Sequence, residues 1–263
     1  MSLSLTQQSL GYSVQSVAGQ VRGHNEDAVL CQPQLGLWAV ADGMGGHQCG
    51  EVASALVVET LGREVATGMA LDQAILSAHR QVLAASRSAN GRAMGSTVVA
   101  VQFVDSEFEV AWVGDSRAYR VSLEGIVRLT HDHSWVQAMV DAGELSAEQA
   151  REHPRRNIVT QCLGLGEQEL EVGRVRGSLQ SGELLLLCSD GLTGELNDEQ
   201  IQAVCASAAT LDELVEQLVG LANQLGGRDN ISCVALAHSV TDSPQVAAKS
   251  SNFISRWLTS RKH

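Results

Sequence analysis

Four apolar runs in this chain stop at, or start from, an aspartate set among small or polar residues. They read WAVAD-GMGG at Asp42, AWVGD-SR at Asp115, LLLLCSD-GLTG at Asp190 and GGRDN-ISCVAL at Asp229. Short apolar runs bounded by turn residues are the mark of buried strands. A fold that ends several buried strands on carboxylates must either scatter those charges around its rim or gather them at one edge. Taken singly, each site reads as a turn, because Asp-Gly is a common hairpin dipeptide. Four of them in one acidic chain favour gathering.

The rest of the pattern supplies the frame. Strands are expected at 10–19, 27–32 and 35–41, with a turn at Gln32–Pro33–Gln34. Apolar residues then recur at helical spacing from Gly50 to about Ala66 (Val52, Ala55, Leu56, Val58, Leu61, Val65) and from Leu71 to Ser88 (Ile75, Ala78, Val82, Leu83). Strand-like segments follow at 95–104, 107–113, 118–122 and 126–129. An irregular insertion from about His131 to Cys162 holds two weak helical pieces, at 136–142 and 147–153. Strands resume at 171–176 and 183–188, a helix spans 211–224, and 231–237 closes the core. Many short strands bracketed by helix pairs predict an α+β fold, a four-layer α/β/β/α sandwich of two antiparallel sheets. No solenoid-type repeat is present.

Gathered carboxylates repel one another and resist ionisation unless a cation sits among them. All-oxygen ligands select hard ions, Mg²⁺, Mn²⁺ or Ca²⁺, over zinc. Two such ions about 3.5–4 Å apart can share a water, acidify it and aim it at phosphorus. The Gly43–Met44–Gly45–Gly46 run lets backbone approach an ion, with a carbonyl as a ligand. Upstream, Arg22, Glu26 and Asp27 fall within six residues. Arginine suits phosphate through its planar fork, and the two carboxylates can orient waters bound to metal. A solvated loop is the plain alternative.

The net charge of −12 argues against a general nucleic-acid binder, which needs basic surface. Bound dications can still supply positive charge for phosphate chemistry. The six cysteines, at 31, 49, 162, 188, 205 and 233, show no C-x-x-C spacing and read as buried thiols in a reducing compartment. The N-terminus lacks a secretory pattern, and no stretch approaches the ~20 apolar residues of a membrane span. A cytoplasmic location is expected, and the absence of an exposed heptad or long apolar patch points to a monomer. From Thr241 the composition changes. Lys249, Arg256, Arg261 and Lys262 against Asp242 give residues 241–263 a charge of +3 and leave −15 on residues 1–240. This tail, with Phe253, Ile254, Trp257 and Leu258, is either a frayed end or a docking piece.

As an ordered set, the segments RGHNEDA (22–28), VADGMGGH (40–47), GST (95–97), VGDSRAY (113–119), LTHDHS (129–134), HPRRN (153–157), CSDGLT (188–193) and GGRDNIS (226–232) resemble the bacterial metal-dependent serine/threonine protein phosphatases of type 2C. The resemblance runs to about residue 237, so a catalytic domain over 1–240 is expected. It implies hydrolysis of phosphoserine and phosphothreonine in proteins by a water bridging two Mn²⁺ or Mg²⁺ ions, without a phosphoenzyme. It implies that Asp42 bridges two metals, that the Gly43 carbonyl binds one, that Asp190 and Asp229 complete the other, and that Asp115 with Asp190 holds a weaker third ion. Arg22 would clamp phosphate, and Glu26 and Asp27 would hold metal-bound waters. The segment at about 135–160 matches the bacterial flap, where Arg155 and Arg156 would meet phosphopeptide. The implied partners are phosphorylated proteins and a bacterial Ser/Thr kinase.

Departures exist. Val17 stands where bacterial members often carry Asp. Met44 replaces the histidine that animal members place after Asp-Gly, which leaves the general acid unassigned. His47 is a candidate for it, with a structural role at a helix start as the alternative, and a metal-bound water is another candidate. The HDH run at 131–133 looks like a zinc pair, but the carboxylate-rich setting favours a flap hinge. A hydrolase of small phosphate esters or nucleotides, and a catalytically silent phosphoprotein-binding module, are the rival functions. An acidic calcium-binding domain lacks the D-x-D-x-D-G loop it would need.

Overall fold

The computed structural model describes residues 10–45, 49–88, 93–104, 107–166 and 170–238. Its elements run β1 (Leu10–Val17), β2 (Asp27–Gln32), a 3-10 turn at Pro33–Leu35, β3 (Leu37–Gly45), α1 (Cys49–Ala66), α2 (Leu71–Ser88), β4 (Met94–Ser96), β5 (Val98–Val104), β6 (Glu107–Val113), β7 (Arg117–Val121) and β8 (Ile126–Arg128). They continue as α3 (Trp135–Asp141), α4 (Ala147–Glu152), β9 (Gly173–Ser178), β10 (Leu184–Cys188), α5 (Asp190–Thr193), α6 (Asp198–Ser207), α7 (Leu211–Leu225) and β11 (Ile231–His238).

The strands form two antiparallel sheets. One has the order β1-β11-β10-β7-β8, the other β2-β3-β5-β6-β9 with β4 paired to β3. Side-chain alternation then writes the layers directly. In β11, Ile231, Cys233, Ala235 and Ala237 join α6 and α7 in one core, while Val234 and Leu236 face the other sheet. In β3, Leu37, Ala39 and Ala41 pack under α1 and α2, while Trp38 and Val40 face between the sheets. Three cores separated by two sheets are a four-layer sandwich, as the apolar runs predict.

Several expectations shift. The buried face of α1 is Ala53, Ser54, Val57, Leu61 and Val65, whereas Val52 and Ala55 are exposed. Apolar residues lie all around this helix, so its period alone does not fix the inward face. The small Ala53 and Ser54 do, because they allow close approach to the sheet; the Ser54 hydroxyl donates to the Glu26 carbonyl at 2.6 Å. The strand expected at 35–41 runs on as β3 through Asp42 and Gly43 to Gly45, because β4 supplies it a partner. The strand expected at 95–104 breaks at Thr97, and the one expected at 171–176 sits two residues later. Helices α5 and α6 were not expected at all. Five of the six cysteines are buried and Cys31 is half-buried, all as free thiols.

Candidate active site

Strand parity places the first two carboxylates. Asp42 follows Trp38 and Val40 on the inter-sheet face of β3, and Asp27 precedes Val29 and Cys31 on the same face of β2. The β2–β3 register sets Asp27 opposite Asp42. The other sheet supplies two more at the same end. β10 stops at Cys188, and Asp190 opens α5 two residues later; Asp229 lies just ahead of β11, the neighbour of β10. Gly191 packs against the Asn230 carbonyl so closely that no Cβ fits there, and a Cβ would also lie 3.4 Å from the Asp229 Cβ. Asp115 comes from the β6–β7 turn, 8% exposed, after Gly114 at φ +105°.

These groups feel one another. Burial pushes the Asp42 carboxyl well above the usual carboxylate range, and Asp190, Asp27, Asp115 and Asp229 add to the shift. Burial, then Asp190 and Asp132, raises Asp115 in the same way. Asp190 is raised by burial and then by Asp229. Asp27, raised chiefly by burial, reaches about 7 even though Ser232 and Ser189 donate to its Oδ2 at 2.6 and 2.8 Å.

A dication fits this set. Asp27 Oδ1 and Asp190 Oδ1 are buried and have no hydrogen-bond partner, and unsatisfied buried carboxylate oxygens are costly. Among the described residues no three His, Cys, Asp or Glu side chains converge as a complete cage. Seating one ion against Asp42, Asp190 and Asp229 together therefore requires their side chains to turn towards it. Asp42 and Asp190 are half-buried as residues, so solvent reaches the margin of the site although Asp190 Oδ1 is closed off.

The loop from β1 to β2 closes the site. Gly19, at φ +77°, passes so close to the Asp229 carbonyl that no side chain fits. The buried Asn230 side chain accepts from the Glu26 amide at 2.8 Å and donates to the Ala18 and His24 carbonyls at 3.1 and 2.8 Å. This holds Arg22 over the site, with Nη2 2.8 Å from Asp229 Oδ2. The Gly43 amide donates to the Glu26 carbonyl at 3.1 Å. The Glu26 carboxyl lies against Gly50 at the start of α1, where a Cβ would come within 2.8 Å of both the Glu26 Cδ and the Gly43 carbonyl oxygen. Gly50 is therefore what lets the Glu26 carboxyl and the Gly43 carbonyl share that space.

Beside the carboxylates lies a cavity of about 760 Å³ between helices α3 and α4 and the α5–α6 segment, with Asp115, Asp190 and Arg156 in its lining. Arg155 is placed differently from its neighbour: its guanidinium stacks over Trp135, 5.1 Å from the ring centroid. His47 lies outside the described residues. The HDH imidazoles part company. His131 bonds Asp141 at 2.8 Å, and His133 Nδ1 accepts the Gly114 amide at 3.2 Å. Asp132 between them takes the Arg117 fork, with Nη2 at 2.6 Å. Asn230, Ser189, Ser232 and the Arg117–Asp132 pair escaped the sequence reading. Only Ser189 and Asn230 carried a visible signal, as neighbours of Asp190 and Asp229.

One consequence is a pH dependence. Asp27 has a folded-state pKa above its unfolded value of 3.8, so the native state holds more protons between the two. Its contribution to stability is present below about 4 and is lost as pH rises through about 7. Thermal melts in EDTA should therefore show Tm falling from pH 5 to pH 8. Asp27→Asn should flatten that slope; an unchanged slope would remove Asp27 from the account.

Buried carboxylates ending the strands of a β-sandwich, with an arginine above them and a groove alongside, define a phosphate-ester hydrolase of the hard-metal class. Residues 20–228 match the protein phosphatase 2C family. A serine/threonine phosphatase stp of Listeria monocytogenes is 35% identical over 241 residues, covering 85% of this chain and 94% of the relative. The crystal structure of the Mycobacterium tuberculosis serine/threonine phosphatase PstP/Ppp superposes with a TM-score of 0.80 at 32% identity, over 88% of this chain and 99% of that one. The PstP catalytic domain in complex with two manganese ions gives 0.78 at 31% identity, over 87% and 97%. This chain belongs to the protein phosphatase 2C family and is a protein-serine/threonine phosphatase. No helix among the described residues is long and apolar enough to cross a membrane.

Proposed function

We propose that residues 1–240 form a catalytic domain that dephosphorylates phosphoserine and phosphothreonine in proteins. Two Mn²⁺ or Mg²⁺ ions would be held by Asp42, the Gly43 carbonyl, Asp190 and Asp229, and a third, weaker ion by Asp115 with Asp190. The observation that carries this is the mutual repulsion of five carboxylates of which two keep an unpaired buried oxygen. The manganese pair in the PstP relative supports it. When bound, the ions supply an activated water and positive charge against the phosphoryl oxygens. The chain's own residues do the positioning. Asp42, fixed by the β2–β3 register, would be a ligand to the ions. Glu26 and Asp27 would hold water on the ions. Arg22 clamps the substrate phosphate through its fork, and Arg156 in the cavity lining receives the phosphopeptide. Arg155, engaged with Trp135, takes the lesser share of that contact. The proton donor to the leaving alkoxide is unassigned, with His47 and a metal-bound water as its candidates.

In the cell this activity would oppose a bacterial Ser/Thr kinase in the cytoplasm, with the enzyme acting as a monomer and its basic tail, residues 241–263, outside the catalytic domain. Turnover compared on a phosphothreonine protein and on nucleotides tests the substrate class. Preference for the protein by kcat/KM is expected, and equal or better nucleotide turnover would favour the small-ester reading. Arg22→Ala should raise KM for the phosphoprotein more than it lowers kcat. A pure kcat loss would instead place Arg22 at the transition state alone.

A further inference from the structure

The Arg22–Asp229 contact joins two residues that the proposed reaction uses separately, one for the substrate's phosphate and one for a metal. Both oxygens of Asp229 are occupied: Oδ1 accepts the Asn230 amide at 2.9 Å, and Oδ2 accepts Arg22 Nη2 at 2.8 Å. Asp190 beside it keeps Oδ1 unpaired. The two carboxylates are thus differently partnered within the protein. Asp190 keeps one unpaired oxygen, and Asp229 is capped by a guanidinium.

Resting on the function proposed above, we infer that Arg22 is the internal counter-ion of the metal centre, holding Asp229 until a dication replaces it and frees the guanidinium for phosphate. A dication and a guanidinium on one carboxylate oxygen repel, so metal entry at Asp229 and retention of the Arg22 contact oppose each other. The pair is built for exchange. Arg22 and Asp229 side chains are 52% and 31% exposed, so the contact is weak and reversible, unlike the Arg117–Asp132 pair, where Asp132 is 6% exposed. Asn230 steadies both sides, since its side chain anchors the Arg22 loop and its amide orients Asp229. The result is an order of assembly. Asp42 and Asp190 have no bonded guanidinium to displace, the site that includes Asp229 fills against Arg22, and substrate then meets a released arginine. Phosphate and metal become coupled through one side chain, each favouring the other.

The test is Mn²⁺ affinity, read from the free-ion EPR signal during titration of the full chain, with no turnover involved. Arg22→Ala should tighten Mn²⁺ binding about fivefold, the scale of an exposed ion pair. Arg22→Lys should fall between wild type and Arg22→Ala. In an Asp229→Asn background, removing Arg22 should change Mn²⁺ affinity little, because the partner it caps is gone. Unchanged or weaker Mn²⁺ binding in Arg22→Ala, or the same gain with and without Asp229, overturns the counter-ion role. If Asp229→Asn alone leaves Mn²⁺ binding intact, the failure is of the metal-ligand reading itself. If Asp229→Asn weakens binding but Arg22→Ala does nothing, the ligand reading survives and only the exchange is wrong.

Discussion

Asp42→Ala should cut kcat/KM on a phosphothreonine protein by about 10³-fold or more, because losing one well-placed stabilising group already costs ~10²–10³ and Asp42 is assigned to both ions. In barrier terms this is at least ~4 kcal/mol. The same change should not unfold the protein. Asp42 is raised by burial and by Asp190, Asp27, Asp115 and Asp229. Removing it relieves repulsion, while the strand keeps its ladder to β2 and β5 and the Thr97 hydroxyl still receives the residue-42 amide at 3.2 Å. Melting in EDTA should therefore give a Tm equal to or above that of wild type. A chemical loss with no stability loss is the pattern of a group kept for function at a cost in stability. A large Tm drop would mean that Asp42 serves packing, and retained activity would mean that it does not serve the chemistry.

Chelation should have the second large effect. Excess EDTA should reduce turnover to background, and Mn²⁺ or Mg²⁺ should restore it. The same titration should raise Tm, because an ion that binds only the native state stabilises it by mass action, about 2.7 kcal/mol at a hundred times its Kd. Metal should also flatten the fall of Tm with pH, since a dication takes over the charge that protons otherwise balance on Asp27 and its neighbours. Full turnover in excess chelator would leave the carboxylate cluster without a purpose.

The sandwich was legible because its central strands are buried on both faces. Runs such as LLLLC at 184–188 and ISCVAL at 231–236 have no use outside a covered sheet, and the structure shows them adjacent and fully buried. The missed helix α6 was readable in principle. Asn197 caps it and pairs with Gln200 in a reciprocal box, and Ile201, Val204 and Cys205 follow at helical spacing. Its polar start, NDEQ, reads as a loop unless the cap is noticed. The spacing of Asp42, Asp115, Asp190 and Asp229 marks them out together, because each ends or begins an apolar run. What spacing cannot give is pairing across sheets. That Asp27 is bonded by Ser189 and Ser232, 162 and 205 residues away, or that Asn230 gathers Ala18, His24 and Glu26, depends on the register of β2, β10 and β11 together. Nor does sequence say that Arg155 stacks on Trp135 while Arg156 lines the cavity, since adjacent residues in a turn differ only by where the backbone points them.

The whole reading comes down to whether divalent ions occupy the edge where the two sheets end. Anomalous diffraction from a crystal of the full chain soaked in Mn²⁺ decides it. Two strong peaks are expected, one shared by Asp42 and the Gly43 carbonyl and the other reached by Asp42, Asp190 and Asp229, with a weaker third beside Asp115. Density for Mn²⁺ only at surface carboxylates, or none at all, would contradict the account however closely the chain resembles its relatives.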